Sequence, residues 1–434
     1  MILTAATASP LAMSAPTRSS VAKAAYSLRG IIAPPGYDGL LPSALNDQGN
    51  VVGGIETKSG AQEAFMWSAA TGKLRPLGFP KGNIWTTATG INDAGLISAF
   101  GYTANYATTV PYVVVVRGGH ATWVTLPGAT SGLPNAITWA IDDHNEVTGR
   151  ICTPSGCNSY EPVMWKLRGS LKSMSTKSWH LIVNPVPKGA QNGDSYTVDD
   201  GLKGGSYIDS SNVSRPAIWD DTGKTPTISL TSAITTGAVM PQGRVFELDQ
   251  VAAPKGVTAP TTLAAGVQFV NGSTAAGWQV DMSERSGDNK LRPFADMFLN
   301  QGSPAYFSTG FISGASPKMA RTGAHSPGET RAGTASLSLT VVGTERQHAC
   351  AGGPAPFGCA VVFRTPAPIS IPSTISKKPV AVKATATALN TLVPNWHTSG
   401  WVLTAAAAIN DKGQIAGSGT YHGQGDGFLA TPTK

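Results

Sequence analysis

Three stretches decide the fold: Ala44-Leu45-Asn46-Asp47-Gln48-Gly49-Asn50-Val51-Val52-Gly53, Gly90-Ile91-Asn92-Asp93-Ala94-Gly95-Leu96-Ile97, and Ala408-Ile409-Asn410-Asp411-Lys412-Gly413-Gln414-Ile415-Ala416-Gly417. Each reads as one hairpin. An apolar residue ends a strand, Asn-Asp-x-Gly turns the chain, and an apolar-rich strand runs to a glycine. Asn and Asp cap turns through their own side chains, and Gly takes the positive φ that closes them. A fourth copy, Ala140-Ile141-Asp142-Asp143-His144-Asn145-Glu146-Val147-Thr148-Gly149, keeps this shape with an altered turn.

Working outward, the next strand of each unit carries an apolar-aromatic signature: Ala64-Phe65-Met66-Trp67, Pro162-Val163-Met164-Trp165, Pro216-Ala217-Ile218-Trp219 and Gly427-Phe428-Leu429. A further strand follows in places, as at Lys73–Leu77 and Ala121–Leu126, which makes four strands per unit. Fainter copies occur at Val198–Gly205, Phe269–Gly277 and Ser336–Gly343, for about seven units spaced roughly 45 to 75 residues apart. Four-stranded units at such periods describe the blades of an all-β propeller. Tyr26–Ile32 reads as a last strand without its first three, and the chain stops three strands into a unit, at Phe428–Pro432. The two ends are therefore expected to share one sheet and close the ring, removing exposed strand edges. An open β-solenoid has no use for such ends and ranks second. Two stretches, Asp281–Asn289 and Ser303–Glu329, read as inserts that decorate one face.

The composition agrees. Only 13% of the 434 residues are charged, while 50 are Gly and 31 Pro, which disfavours long solvated helices and favours short strands joined by turns. Although the net charge is +7, Lys377-Lys378 is the sole adjacent basic pair and no basic stripe exists, so a nucleic-acid partner is not expected. No apolar run is long enough for a transmembrane helix. One domain is expected over 26–434, preceded by a disordered arm or signal-peptide remnant at 1–25. That segment is rich in Ala, Ser and Thr but lacks a basic start.

The four cysteines form two close pairs, Cys152/Cys157 and Cys350/Cys359, each bracketing a turn-rich stretch just beyond a motif glycine. Neither pair has the spacing of a zinc site, so two hairpin disulfides are expected, worth about 2 kcal/mol each and implying an oxidising compartment.

With its Ile-Asn-Asp-x-Gly-x-Val/Ile-x-Gly motif followed by Ala-Phe-x-Trp, the chain resembles the bacterial extracellular HAF-repeat family from about residue 26 to its end. The resemblance implies export to the periplasm, exterior or cell surface of a bacterium and a propeller-like fold. It implies no catalytic residues. The family's His-Ala-Phe triplet is altered here, with Glu63 before Ala64-Phe65 and Asp426 before Gly427-Phe428.

No Gly-x-Ser-x-Gly elbow and no HxH or HxxxH spacing occurs among the seven histidines, which argues against serine-hydrolase and zinc chemistry. The Asn-Asp pairs offer too few spaced carboxylates for calcium and read as turn formers. The denser Asp142, Asp143 and His144 cluster is a candidate contact site. Trp67, Trp165 and Trp219 recur at one strand position and read as core, whereas Trp85, Trp139, Trp278, Trp396 and Trp401 lie off that register and are candidate ligand contacts. These features point to an exported, monomeric, non-catalytic propeller that binds a glycan or a protein at one face, without metal or cofactor. The alternatives are a polysaccharide hydrolase or lyase using carboxylates from separate blades, with Asp199, Asp200, Asp281, Glu284 and Asp288 available, and a structural or adhesive envelope protein.

Overall fold

A computed structural model describes residues 25–433 except 107, 129–134, 154–155, 172–173, 200–201, 211–213, 221–226, 230–236, 241–243, 248–262, 272–273, 286–290, 294–309, 322–334, 346–358, 365–368, 372–379, 382–384 and 396–397. Between 211 and 386 the side chains described are those of Ala217, Trp219, Val342, Ala360 and Val362. The expected arm at 1–25 lies, but for Ala25, outside the described residues.

The chain is mostly β, and its strands fall into seven sheets among the described residues, antiparallel but for one pair in the fifth. Helical segments there are single 3-10 turns, such as Leu389–Leu392. The first sheet runs Tyr37–Leu45, Val51–Thr57, Gln62–Trp67, Leu74–Pro76, each strand beside the one before it. The second (Asn83–Ile91 to His120–Thr125), third (Ala136–Ile141 to Trp179–Val183) and fourth (Asn192–Asp199 to Thr227–Ser229) repeat that order. The seventh has Trp401–Ile409, Ile415–Tyr421 and Gln424–Pro432, and takes its fourth strand from the N-terminus. Tyr26–Ile31 lies antiparallel to the last strand, with Leu28 opposite Ala430 and Gly30 opposite Phe428. The first strand of each later sheet lies against the sheet before it, and that of the first lies against the seventh.

Four strands per unit does not hold throughout. The fifth sheet is built on Leu263–Asn271 and Thr274–Arg285 but also pairs Gly237–Met240, Arg244–Glu247, Leu291–Pro293 and, in parallel, Val380–Ala381. The sixth has five strands, and its first, Gly310–Arg321, lies within the stretch read as the longer insert. The other presumed insert begins inside strand Thr274–Arg285. The Ser-, Gly- and Pro-rich composition hid these strands, because in this sixth unit the Asn-Asp turn that marks its relatives is gone.

Packing follows the period-2 alternation of the strands. Val52, Ala64, Ala88, Ile97 and Val114 fill the seam between the first two sheets, and Leu96, Val113, Leu126, Val147, Ile151 and Trp165 the next. Trp67, Trp165 and Trp219 are all at least 98% buried. Indole N–H groups of Trp165 and Trp219 donate to the linker carbonyls of Pro127 (2.6 Å) and Pro185 (2.7 Å), which ties each third strand to the segment that enters its own sheet. Cutting such a residue to alanine costs about 3–5 kcal/mol.

Two carboxylates, Glu63 and Asp426, hold linkers too. Glu63 accepts from Gly78 N–H (2.7 Å) and Tyr37 O–H (3.0 Å), and the buried Asp426 accepts from Ala33 N–H (2.9 Å). Burial pushes the Asp426 carboxyl up, while the Ala33 bond opposes it.

Candidate functional site

The Asn-Asp turns form first. Asn46 Oδ1 accepts from Asn50 N–H, Asn92 Oδ1 from Leu96 N–H, and Asn410 Oδ1 from Gln414 N–H, while Gly49, Gly95 and Gly413 take φ of 78°, 78° and 74°. In the altered copy Asp142 accepts from Glu146 N–H and Asn145 fills the left-handed place at φ 61°. The side chains also reach across the seams. Asn410 Nδ2 donates to the Asn46 carbonyl (2.9 Å), Asn46 Nδ2 to that of Asn92 (3.1 Å), and Asn92 Nδ2 to that of Asp142 (2.9 Å). In parallel, the N–H of Asp411 donates to Asp47 Oδ1, that of Asp47 to Asp93 Oδ1, and that of Asp93 to Asp143 Oδ1. The motif is therefore a clip between neighbouring sheets as well as a turn. The amide relay stops at the third sheet, where Asp142 has no side-chain N–H to pass on.

A second repeated device lies deeper. In every sheet the pairing of the first strand with the second skips a residue of the first, Ser43, Thr89, Trp139, Tyr196, Gln268, Ser313 or Ala407, and the first, second and seventh sheets also skip Asp38, Ile84 and Thr404. Such a β-bulge bends the strand and re-aims the extra side chain. Opposite the residue before the bulge stands the motif glycine, as Gly53, Gly149, Gly205, Gly277, Gly343 or Gly417, with Ala99 in the second sheet. A Cβ on Gly53, Gly149, Gly205 or Gly417 would fall 1.9–2.1 Å from a first-strand carbonyl oxygen. These glycines do not end their strands. They sit inside them, where the bulge brings backbone close.

Five bulge residues, Ser43, Thr89, Trp139, Tyr196 and Ala407, line a cavity of about 470 Å³ among the first strands of five sheets. Phe100 completes an aromatic wall, its ring 6.4 Å from that of Trp139, which is 6.1 Å from that of Tyr196. Thr87, Thr89, Thr197 and Ser43 bring hydroxyls, and no charged side chain is among the described residues of the lining. Toward the Asn-Asp turns the cavity meets a collar of Leu45, Ile91, Ile141, Val198 and Ile409. Beyond that collar lies a recess of about 290 Å³ flanked by Asp47, Asp93, Asp142, Asp143 and Asp411. Partial burial raises the Asp47 carboxyl, and the charges of Asp411 and Asp93 add to that.

Behind the aromatic wall, Trp139 Nε1 donates to Asp194 Oδ1 (2.6 Å), and Arg150 Nη1 pairs with Asp194 Oδ2 (2.9 Å). The guanidinium also sits 4.4 Å from the Tyr160 ring centroid and 5.8 Å from that of Trp139. Burial pushes the Asp194 carboxyl up to about 6, with Arg150 and the indole N–H opposing it. The Tyr196 hydroxyl is raised well above its ordinary value by burial and then by the Asp194 charge, while its bond to Ser206 Oγ (3.0 Å) pulls the other way.

The candidates read from sequence scatter around this cavity. Trp139 lies on its wall. Trp85 touches it through Phe100, at 5.6 Å, and stacks edge-on with Tyr102 across the hairpin. Trp401 makes the corresponding cross-strand pair with Tyr421 in the seventh sheet, at 5.1 Å. Asp142 and Asp143 border the recess, with oxygens engaged by backbone N–H groups. His144 is exposed, its Nδ1 3.8 Å from Asp142 Oδ2. Trp278, Asp281 and Glu284 are placed by backbone in Thr274–Arg285, and Asp199 in Asn192–Asp199. Trp396, Asp200 and Asp288 lie outside the described residues. Among the described residues no group of His, Cys, Asp and Glu side chains could hold a metal ion, and no cysteine is free. Cys152 is buried in strand Glu146–Thr153. The side chains of Cys157 and Cys359 and all of Cys350 are outside the description. The residues missed were the bulge residues other than Trp139, together with Phe100 and Asp194. The mid-strand glycines were the signal for the first.

No protein-family model and no curated protein matches the chain. Among solved structures, it is similar to the WD40 domain of SCAP from fission yeast, at 7% identity and a TM-score of 0.38 over 91% of this chain and 82% of that one, a likeness too loose to carry an argument. No described helix is long and apolar enough to cross a membrane.

Proposed function

We propose that the seven sheets are the blades of one closed β-propeller, exported as the HAF-like repeats imply, and that it binds a surface glycan in its central cavity without transforming it. Closure is supported by the N-terminal strand that completes the last sheet and by the first sheet's packing on the seventh. Export rests on the expected Cys152–Cys157 and Cys350–Cys359 disulfides, which imply an oxidising compartment.

The observation that carries the binding reading is the cavity lining. An aromatic wall and several hydroxyls line one cavity, as in sites that hold sugar rings by apolar contact plus a few hydrogen bonds. Glycoside hydrolysis needs two carboxyl groups flanking the bond; among the described residues the cavity lining has none, Asp194 lying behind the aromatic wall and bound to the Trp139 indole, and the turn carboxylates lying beyond the apolar collar. A glycan-array screen followed by product analysis tests the reading. Binding without turnover is expected. Turnover would move the protein to the hydrolase or lyase class, and a screen without hits would leave a protein partner or an envelope role.

A further inference from the structure

Resting on that reading, we propose that the cavity selects an uncharged sugar unit, stacked on Trp139, and that Asp194 is the positioning residue that holds the indole in place.

Trp139 is the bulge residue of the third sheet, so its ring leaves the pleat and enters the cavity. A bulged side chain has no neighbour across the ladder to fix it. Here the indole N–H bond to Asp194, itself paired with Arg150, supplies the fixing. The donor is thereby spent on the protein, and the ring offers a ligand only its apolar face and edge. That suits the apolar C–H face of a pyranose.

Neutrality follows from charge. The described lining carries no ion, so a carboxylated or aminated sugar would be desolvated without a partner. An anion approaching from the turn side must also pass Asp47, Asp93, Asp143 and Asp411. The lining hydroxyls of Ser43, Thr87 and Thr197 supply neutral hydrogen bonds instead.

The test titrates the full chain by calorimetry with cellohexaose, maltohexaose and mannohexaose, with hexagalacturonate as the acidic probe and a chitosan hexamer as the basic one. At least one neutral probe is expected to bind, with affinity falling about 10- to 100-fold in Trp139→Ala and about tenfold in Trp139→Phe, which keeps a ring but not the N–H that Asp194 holds. Asp194→Asn keeps an acceptor for the indole and retains binding within a few-fold. Asp194→Leu keeps bulk without an acceptor and loses at least tenfold, with unchanged circular dichroism in all four variants. Binding of hexagalacturonate or the chitosan hexamer as tightly as the neutral probes overturns the proposal. So does a neutral hit indifferent to Trp139→Ala, or equal behaviour of the two Asp194 variants. In those cases glycan binding itself stands. Failure of all five probes, together with an array without hits, removes the wider reading as well.

Discussion

Two neighbouring seams of the molecule share one backbone design and differ in chemistry. Between the second and third sheets the contact is apolar, built from Leu96, Val113, Leu126, Val147 and Ile151, and the amide of Asn92 and the N–H of Asp93 bridge it at the turn end. Between the third and fourth sheets the same strand turns its other face. Glu146, Thr148 and Arg150 alternate with Val147, Gly149 and Ile151, and Arg150 reaches Asp194. Thr148 Oγ1, Ser195 Oγ, Arg150 Nε and Glu146 Oε2 are buried without a hydrogen-bond partner among the described residues, and the fully buried Lys203 places Nζ 3.8 Å from Met164 Sδ. An unpaired buried polar group costs about 1–3 kcal/mol. The polar seam is therefore the less stable of the two, and it carries Trp139. Apolar packing serves cohesion in one seam, while the other gives up some of it to hold a ring at the cavity.

The comparison can be broken in four ways. The largest effect is expected from Leu126→Ala in the apolar seam, a loss of about 2–5 kcal/mol in urea unfolding that is the same at pH 4.5 and pH 7. In the polar seam stability should depend on pH. Folded Asp194 keeps its proton up to about pH 6, whereas the unfolded residue releases it near 3.8, so the folded state binds more protons between those values. Stability contributed by this group therefore falls as pH rises through that window, by roughly 2–3 kcal/mol. Asp194→Asn should flatten that fall. Arg150→Met, which removes the charge that opposes the burial effect, should carry it to higher pH. A flat profile in the unaltered protein would contradict this account.

Smaller effects test the relay. Asn92→Asp keeps the acceptor for Leu96 N–H but loses the amide that spans to Asp142, and should cost about 1–2 kcal/mol. The reciprocal Asp142→Asn supplies an amide where the relay stops, and should change stability by less than about 1 kcal/mol. A loss as large as that of Asn92→Asp would mean that the Asp142 charge itself matters.

Much of this was legible from residues 44–53, 90–97 and 408–417. Their turns depend on side chains bonding four residues ahead and on one left-handed glycine, both local properties. The shared last sheet could be expected from Tyr26–Ile32 because the missing strands at the two ends complement each other. Gly310–Arg321 was not legible, since it has neither the turn nor the apolar alternation that marked its relatives. The clipping role of Asn46, Asn92 and Asn410 was hidden because their acceptors lie 46 to 364 residues away in sequence. Trp139 was singled out for lying off the repeat register, but Tyr196 and Asp194 gave no such sign.

The sequence by itself determined the repeating hairpin, its turn chemistry and the strand alternation, because these arise between residues a few positions apart. Only the tertiary structure decided which side chains five of the sheets give to the cavity. A one-residue skip in strand pairing is a property of two strands and of the glycine that lets their backbones meet, and the wall it builds belongs to neighbouring sheets together.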